Sequence, residues 1–401
     1  MSASLDPETP ARIEPARLEA APEAINNAVA ELASAAAGLG ARLHPHTAAS
    51  LAALVRTMNT YYSNLIEGHH TRPRDIDRAL AGDFDDDEGR RNLQLEAAAH
   101  VRVQADVDAL AQDNALPEPA SRNFIRKLHE DFYKDAPDEM LLIRSGGKEI
   151  RMRPGEWRSA PEHDIAVGRH VPPSSKVIPT FMEYFERRYS FASLGTGARI
   201  LAIPAAHHRL NFIHPFADGN GRVSRLMSHA MGHRAGIGAH GLWSVSRGLA
   251  RGLESRSEYK SMMDFADTPR QGDLDGRGNL SQQALEEYTL WFLRVCLDQV
   301  TFMTGLFDLD ALAKRYQRYV ARSETLKLEA ASLLTEALMR GEFERGEAPR
   351  ITGLPERSAR RVLNDVTDLG LLSSATPKGP VSLRFPAHAL DALFPRLYPE
   401  T

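Results

Sequence analysis

Between Thr47 and Glu67 apolar residues recur at three- and four-residue spacing, placing Leu51, Leu54, Val55, Met58, Tyr62 and Leu65 on one helical face before Gly68 supplies a stop. The same period predicts helices over Ala24–Leu39, Arg91–Ala111 and Ala120–Tyr133, so the first third reads as wholly helical. From Arg144 to Pro173 the period breaks into Gly and Pro signals around short extended pieces, Glu149–Met152 and Ile165–Val167, which predicts a hairpin-bearing loop. Helical spacing returns near Ser175 and holds to about Leu306. Beyond it come a helix over Lys327–Met339, a turn at Thr352–Pro355, a helix ending at Asp368 and a strand pair around Pro377–Pro380. That order predicts a winged helix-turn-helix. The first 24 residues, rich in Pro, Glu and Ala, read as a poorly ordered tail without the pattern of a signal peptide.

A chain of 401 residues exceeds what one compact core usually supports, so more than one domain is expected. A formal net charge of −4 leaves no global positive field for nucleic acid or an anionic membrane, and no apolar run approaches a membrane span. The single cysteine, Cys296, lies in the apolar run Trp291–Cys296, which makes it a core residue and fits a reducing cytoplasm.

The densest chemistry is His214-Pro-Phe-Ala-Asp-Gly-Asn-Gly-Arg-Val-Ser-Arg225, a loop that runs into a helix. Backbone N–H groups at Gly219, Asn220 and Gly221 would open that helix unpaired, and glycine lets a phosphate approach them closely. Arg222 and Arg225, three apart, share a helical face suited to neutralising a polyphosphate. Asp218 offers a hard oxygen for Mg²⁺ beside the same phosphates, and His214 can act as a general base near neutral pH.

This run matches the signature of the Fic family, His-x-Phe-x-(Asp/Glu)-Gly-Asn-Gly-Arg-x-x-Arg, at every position. The resemblance implies a protein adenylyltransferase with ATP as substrate and a mainly α, Fic-type helical core carrying a short β-hairpin flap. His214 would deprotonate a Ser, Thr or Tyr hydroxyl of a target protein, the chain itself included, for attack on the α-phosphate. Asp218 would hold Mg²⁺, Gly219, Asn220 and Gly221 would cradle the α- and β-phosphates, and Arg222 and Arg225 would bind the outer ones. Phe216 reads as a core anchor.

Ser63-Asn-Leu-Ile-Glu67-Gly68 resembles the family's inhibitory pattern (Ser/Thr)-x-x-x-Glu-(Gly/Asn). It implies an N-terminal inhibitory helix in which Glu67 pairs with Arg225 and withholds it from the γ-phosphate. The resemblance also assigns Pro154–Arg158 through Asp164–Gly168 to a flap that aligns the target backbone by strand addition.

Other patterns are set aside. Gly236–Gly241 has dinucleotide-type glycine spacing without a preceding strand, Asp83–Gly89 is out of register for a calcium loop, and Gly147-Lys148 lacks a phosphate-loop context. His207 and His208 have no Cys or acidic partner at ligand spacing. Arg357, Arg360 and Arg361 raise DNA binding as a secondary reading behind target docking. The expected division is 1–115 for the helical segment with the inhibitory motif, 116–306 for the catalytic core and 307–401 for the winged helix. Removal of AMP from a modified protein, a DNA-binding regulator and a homodimer are carried as alternatives to be tested. Phosphate transfer is disfavoured by the intact Gly219-Asn220-Gly221.

Overall fold

The computed structural model describes residues 8–399 except 146, 147, 165, 167 and 169. They form two compact units: one of residues 1–36, 59–238 and 244–299, the other of 37–58, 239–243 and 300–401. Among the described residues no single helix is long and apolar enough to cross a membrane.

The first unit is built from helices α1 (Glu23–Gly38), the C-terminal part of α2 (Pro45–Ile66), α3 (Pro73–Leu80), α4 (Glu88–Gln112), α5 (Arg122–Tyr133), α6 (Ile178–Tyr189), α7 (Thr196–Ile213), α8 (Asn220–Arg234), α9 (Val245–Arg251), α10 (Glu258–Ala266) and most of α11 (Gln282–Leu306). The expected helices of the first third are present, with ends within about three residues. α3 escaped the sequence reading because eight residues give only two buried positions, Ile76 and Ala79, within a strongly charged segment.

α7 is buried nearly all round: Ile200, Ile203, Leu210 and Ile213 are buried, and so are the polar His207, His208 and Arg209. It packs along α8, while α4 and α5 cover other faces of α8. The motif helix is thus central. Strands β1 (Leu142–Ser145) and β2 (Lys148–Arg151) make an antiparallel hairpin in the register Ile143↔Ile150. It lies upstream of Pro154–Gly168, the stretch assigned to the flap; no strand occurs among the described residues there, and Ile165 and Val167 of that assignment lie outside the described residues.

The expected tail is folded from Glu8 onward. Ile13 and Ala16 are fully buried, Arg209 donates to the carbonyl of Pro15 at 3.0 Å, and the Tyr189 hydroxyl donates to the carbonyl of Ala16. A few apolar residues and buried donors from α6 and α7 order a segment whose composition alone suggests disorder.

In the second unit, α12 (Leu309–Arg322), α13 (Ala330–Arg340), α14 (Ala348–Thr352), α15 (Glu356–Asp368) and α16 (Leu390–Leu393) accompany a sheet in the order β3 (Glu342–Phe343), β5 (Val381–Leu383), β4 (Leu372–Ser373). Val381 and Leu383 face inward while Ser382 is half-exposed, the alternation of a one-sided sheet. α14 and α15 are followed by the antiparallel β4–β5 pair, in the register Leu372↔Leu383, whose strands flank Pro377–Pro380. Residues of α2 join this unit through the Thr47 hydroxyl, which donates to the carbonyl of Leu338 at 2.8 Å.

Candidate active site

His214 ends α7 in the left-handed conformation, at φ 51° and ψ 60°. A non-glycine residue needs outside support to hold such a backbone. Arg158 provides it. Its Nε donates to the His214 carbonyl at 2.7 Å, Nη2 donates to the carbonyls of Ile213 and Pro173, and its backbone N–H donates to Pro215 at 2.9 Å. Asp164 neutralises the buried guanidinium at 2.5 Å and accepts from the Ser175 N–H at 2.7 Å. The sequence reading placed Arg158 in a flap. Here it anchors the backbone of the candidate base.

The loop after His214 is closed by side chains. Asn220 is 2 % exposed; its Oδ1 accepts from the Phe216 N–H and its Nδ2 donates to the Phe216 carbonyl, each at 2.9 Å. Asn220 therefore shapes the loop through both groups of its amide. Phe216 is fully buried and stacks on His129 with ring centroids 3.9 Å apart. His129 Nδ1 accepts from the Gly155 N–H at 2.8 Å, so its Nε2–H is left to donate to the Asp218 carbonyl at 3.3 Å. Gly219 caps α8 at φ 78°, where an added Cβ would lie 2.7 Å from the Tyr133 hydroxyl. A side chain there would collide as well as strain the backbone. Asp218 itself is exposed, and among the described residues its carboxylate has no hydrogen-bond or ion-pair partner.

Glu67 and Arg225 meet over the first turn of α8. Arg225, 2 % exposed, donates through Nη2 to Glu67 Oε1 at 2.6 Å, through Nε to the Ser63 hydroxyl at 2.9 Å and through Nη2 to the Ser63 carbonyl at 3.3 Å. A Cβ built on Gly221 would lie 2.6 Å from Glu67 Oε1. The carboxylate thus rests against the backbone at the N-terminus of α8, where the helix offers unpaired N–H groups and partial positive charge. Burial alone would raise the Glu67 carboxyl, but Arg225 and then Arg222 outweigh it and hold the group below its ordinary range. It is ionised at neutral pH. Gly68, at φ 86°, ends the helix immediately after.

Arg222 is 4 % exposed and pairs with the buried Glu96, donates to the Tyr133 hydroxyl at 3.1 Å and lies 3.4 Å from His69 Nδ1. Glu96 also meets His69 at 2.9 Å. The two arginines therefore have separate environments, Arg225 toward Ser63 and Glu67 and Arg222 toward α4 and α5. Glu96, Tyr133 and His69 were missed because no local motif links them to residue 222. His207 and His208 are buried and partnered, the first by Ser228 and Tyr259 at 2.9 and 2.8 Å, the second by Asp267 at 3.1 Å and Arg209 at 2.7 Å. Cys296 is 3 % exposed, and burial pushes its thiol far up, which makes it an inert core residue.

Burial, reinforced by Arg158 and His170, lowers His214 to about 4, so the imidazole is unprotonated at physiological pH and has a nitrogen lone pair free to accept a proton. Burial likewise lowers His129 and His207 to about 3 each. In the unfolded chain these groups titrate near 6.5. Their contribution to stability is therefore fully present above about pH 6.5 and lost as the pH falls, at about 1.4 kcal/mol per histidine per pH unit. His69, raised by its hydrogen bond to Glu96, acts in the opposite sense. Denaturant titrations are expected to show stability falling steeply from pH 6.5 towards pH 4; an unchanged midpoint between pH 7 and pH 5 would contradict the neutral buried histidines.

With this geometry in view, residues 119–231 match the model of the Fic/DOC family. The matched stretch runs from α5 to α8 and includes the loop and helix start described above, so this part of the chain is similar to a Fic/DOC domain. Over 82 residues, 20 % of the chain, the sequence is 38 % identical to "Protein adenylyltransferase Fic" of Drosophila erecta and, at the same identity, of Drosophila melanogaster. That stretch spans only 16 % of either relative. The crystal structure of a Fic family protein from Desulfovibrio desulfuricans G20 superposes with a TM-score of 0.52, covering 92 % of this chain and 98 % of that one at 17 % identity, a likeness of fold.

Proposed function

We propose that the chain is a protein adenylyltransferase, transferring AMP from ATP to a hydroxyl of a protein target, and that Glu67 restrains it. The observation that carries this reading is the Glu67 carboxylate, paired with Arg225 at 2.6 Å and seated against Gly221 at the N-terminus of α8. An anion already occupies the place built for an anion.

In the reaction, neutral His214 accepts the proton of the target Ser, Thr or Tyr hydroxyl as its oxygen bonds to the α-phosphorus. The bond to the leaving pyrophosphate breaks in line, and Arg225, once freed, neutralises charge on the outer phosphates. The N–H groups of Asn220 and Gly221 hold phosphate oxygens, Gly219 sets the turn that aims them, and Arg222 is fixed beside them by Glu96. Asp218, with its carboxylate exposed at the edge of this cradle, fits a Mg²⁺ ligand; the ion would supply charge neutralisation to the phosphates. The proposal is for a cytoplasmic enzyme, with the winged unit docking a target.

If Arg225 is the point through which Glu67 acts, Arg225→Ala should weaken productive ATP use and make Glu67 irrelevant. We expect Glu67→Gly to change the transfer rate less than about twofold in an Arg225→Ala background. A large residual effect of Glu67→Gly in that background would remove the ion pair from the mechanism. Release of free AMP from a modified protein, dependent on Glu67, would instead favour the reverse reaction.

A further inference from the structure

Away from the phosphate cradle, α8 meets α4 again through a cluster that the proposed reaction does not use. His229 and His233 stand one turn apart on α8, and Asp108 reaches them from α4. Asp108 Oδ1 lies 2.6 Å from His229 Nε2 and 3.0 Å from His233 Nε2, and the two Nε2 atoms are 3.2 Å apart. All three side chains are nearly buried, with 3, 7 and 9 % exposure for Asp108, His229 and His233. The imidazole planes are perpendicular, so the rings bring their nitrogens together without stacking.

We propose that Asp108, His229 and His233 form a binding site for a borderline divalent transition metal, Zn²⁺ first, that ties α4 to α8. Two histidines at i and i+4 on one helix with a carboxylate from a second element are a donor set that Zn²⁺ accepts. Around a tetrahedral Zn²⁺ with bonds of about 2.0–2.1 Å, neighbouring donors stand about 3.3 Å apart. The two histidine nitrogens already have nearly that separation, and the carboxylate oxygen would have to withdraw by about half an ångström. All three atom pairs lie within hydrogen-bond reach, and the three donor atoms converge closely enough for one cation to be held among them.

This site differs from the Mg²⁺ position in both place and chemistry. His229 is nine residues along α8 from Asn220, roughly 14 Å of helix. Its nitrogen donors suit zinc, whereas the exposed oxygen of Asp218 suits magnesium. The consequence is mechanical. α4 also carries Glu96, which holds Arg222, so a metal at Asp108, His229 and His233 would fix the two helices against each other at a second point.

The test uses the full chain with its affinity tag removed and its metals stripped by chelator. Titration calorimetry with Zn²⁺ is expected to show one tight equivalent per chain, and Co²⁺ to give the intense visible bands of a four-coordinate ion. Zn²⁺ should raise Tm by several degrees. Asp108→Asn and His229→Gln should each lose the equivalent and the bands while keeping the far-ultraviolet circular dichroism of the parent. Substoichiometric Zn²⁺, weak octahedral Co²⁺ bands in the parent, or undiminished binding by folded variants would overturn the proposal and leave the triad a hydrogen-bonded tie. The Co²⁺ spectrum of the parent decides the matter even where a variant does not fold. None of these readouts depends on adenylyl transfer.

Discussion

Glu67→Gly is expected to accelerate AMP transfer from ATP to protein by roughly 10²- to 10³-fold, the scale on which a preorganised charge-stabilising donor is gained or lost. In the resting arrangement Arg225 spends one guanidinium nitrogen on Glu67 at 2.6 Å, and the same carboxylate lies against Gly221. Two barriers to a triphosphate follow. The ion pair to Arg225 holds the carboxylate where the outer phosphates meet a like charge, and it takes the cation meant for them, so both depend on Arg225. Removing the carboxylate clears both, while Ser63 keeps Arg225 in place through Nε at 2.9 Å. The gain should appear in the rate at saturating ATP as well as in KM, because the freed arginine acts on charge that develops as pyrophosphate leaves. A change confined to KM would mean that Glu67 only competes for binding.

The second large effect is a loss. In the Glu67→Gly background, His214→Ala should lower transfer by roughly 10²- to 10⁴-fold with ATP affinity largely preserved, since the helix N-terminus and Arg225 remain. Burial and the neighbouring Arg158 and His170 hold His214 near 4, so the acid limb of kcat/KM in this background should lie well below pH 6.5. An acid limb centred at 6.5 or above would point to a different base. Loss of ATP binding with His214→Ala would show that the residue shapes the cradle instead.

Much of this site was legible in the sequence because its chemistry is contiguous. Twelve residues from His214 to Arg225 carry the loop and the helix start, and Ser63, Glu67 and Gly68 carry the proposed brake within six. Gly68 read as a helix stop, and its positive φ bears that out. The long helices were legible because an apolar face repeated over several turns leaves a strong period.

The remainder depends on contacts that no local pattern records. Arg222 shares its helix face with Arg225 in sequence terms, yet Glu96, far upstream on α4, draws it into a separate buried pair. Arg158 reads as one residue of a polar loop, and only the fold shows its guanidinium beneath the His214 carbonyl at 2.7 Å. Asp108 lies 121 residues before His229, so ligand spacing along the chain could not reveal their meeting. The N-terminal segment misled for a related reason: its order comes from donors on α6 and α7, not from its own composition.

The central claim is tested most directly by incubating the parent chain, Glu67→Gly and Glu67→Gly/His214→Ala with α-labelled ATP, Mg²⁺ and a cell extract, then following label on protein by gel and intact mass. The account predicts AMP label on protein with Glu67→Gly, little with the parent and none above background with the double variant. Equal labelling by all three chains, or none by any of them, would contradict it.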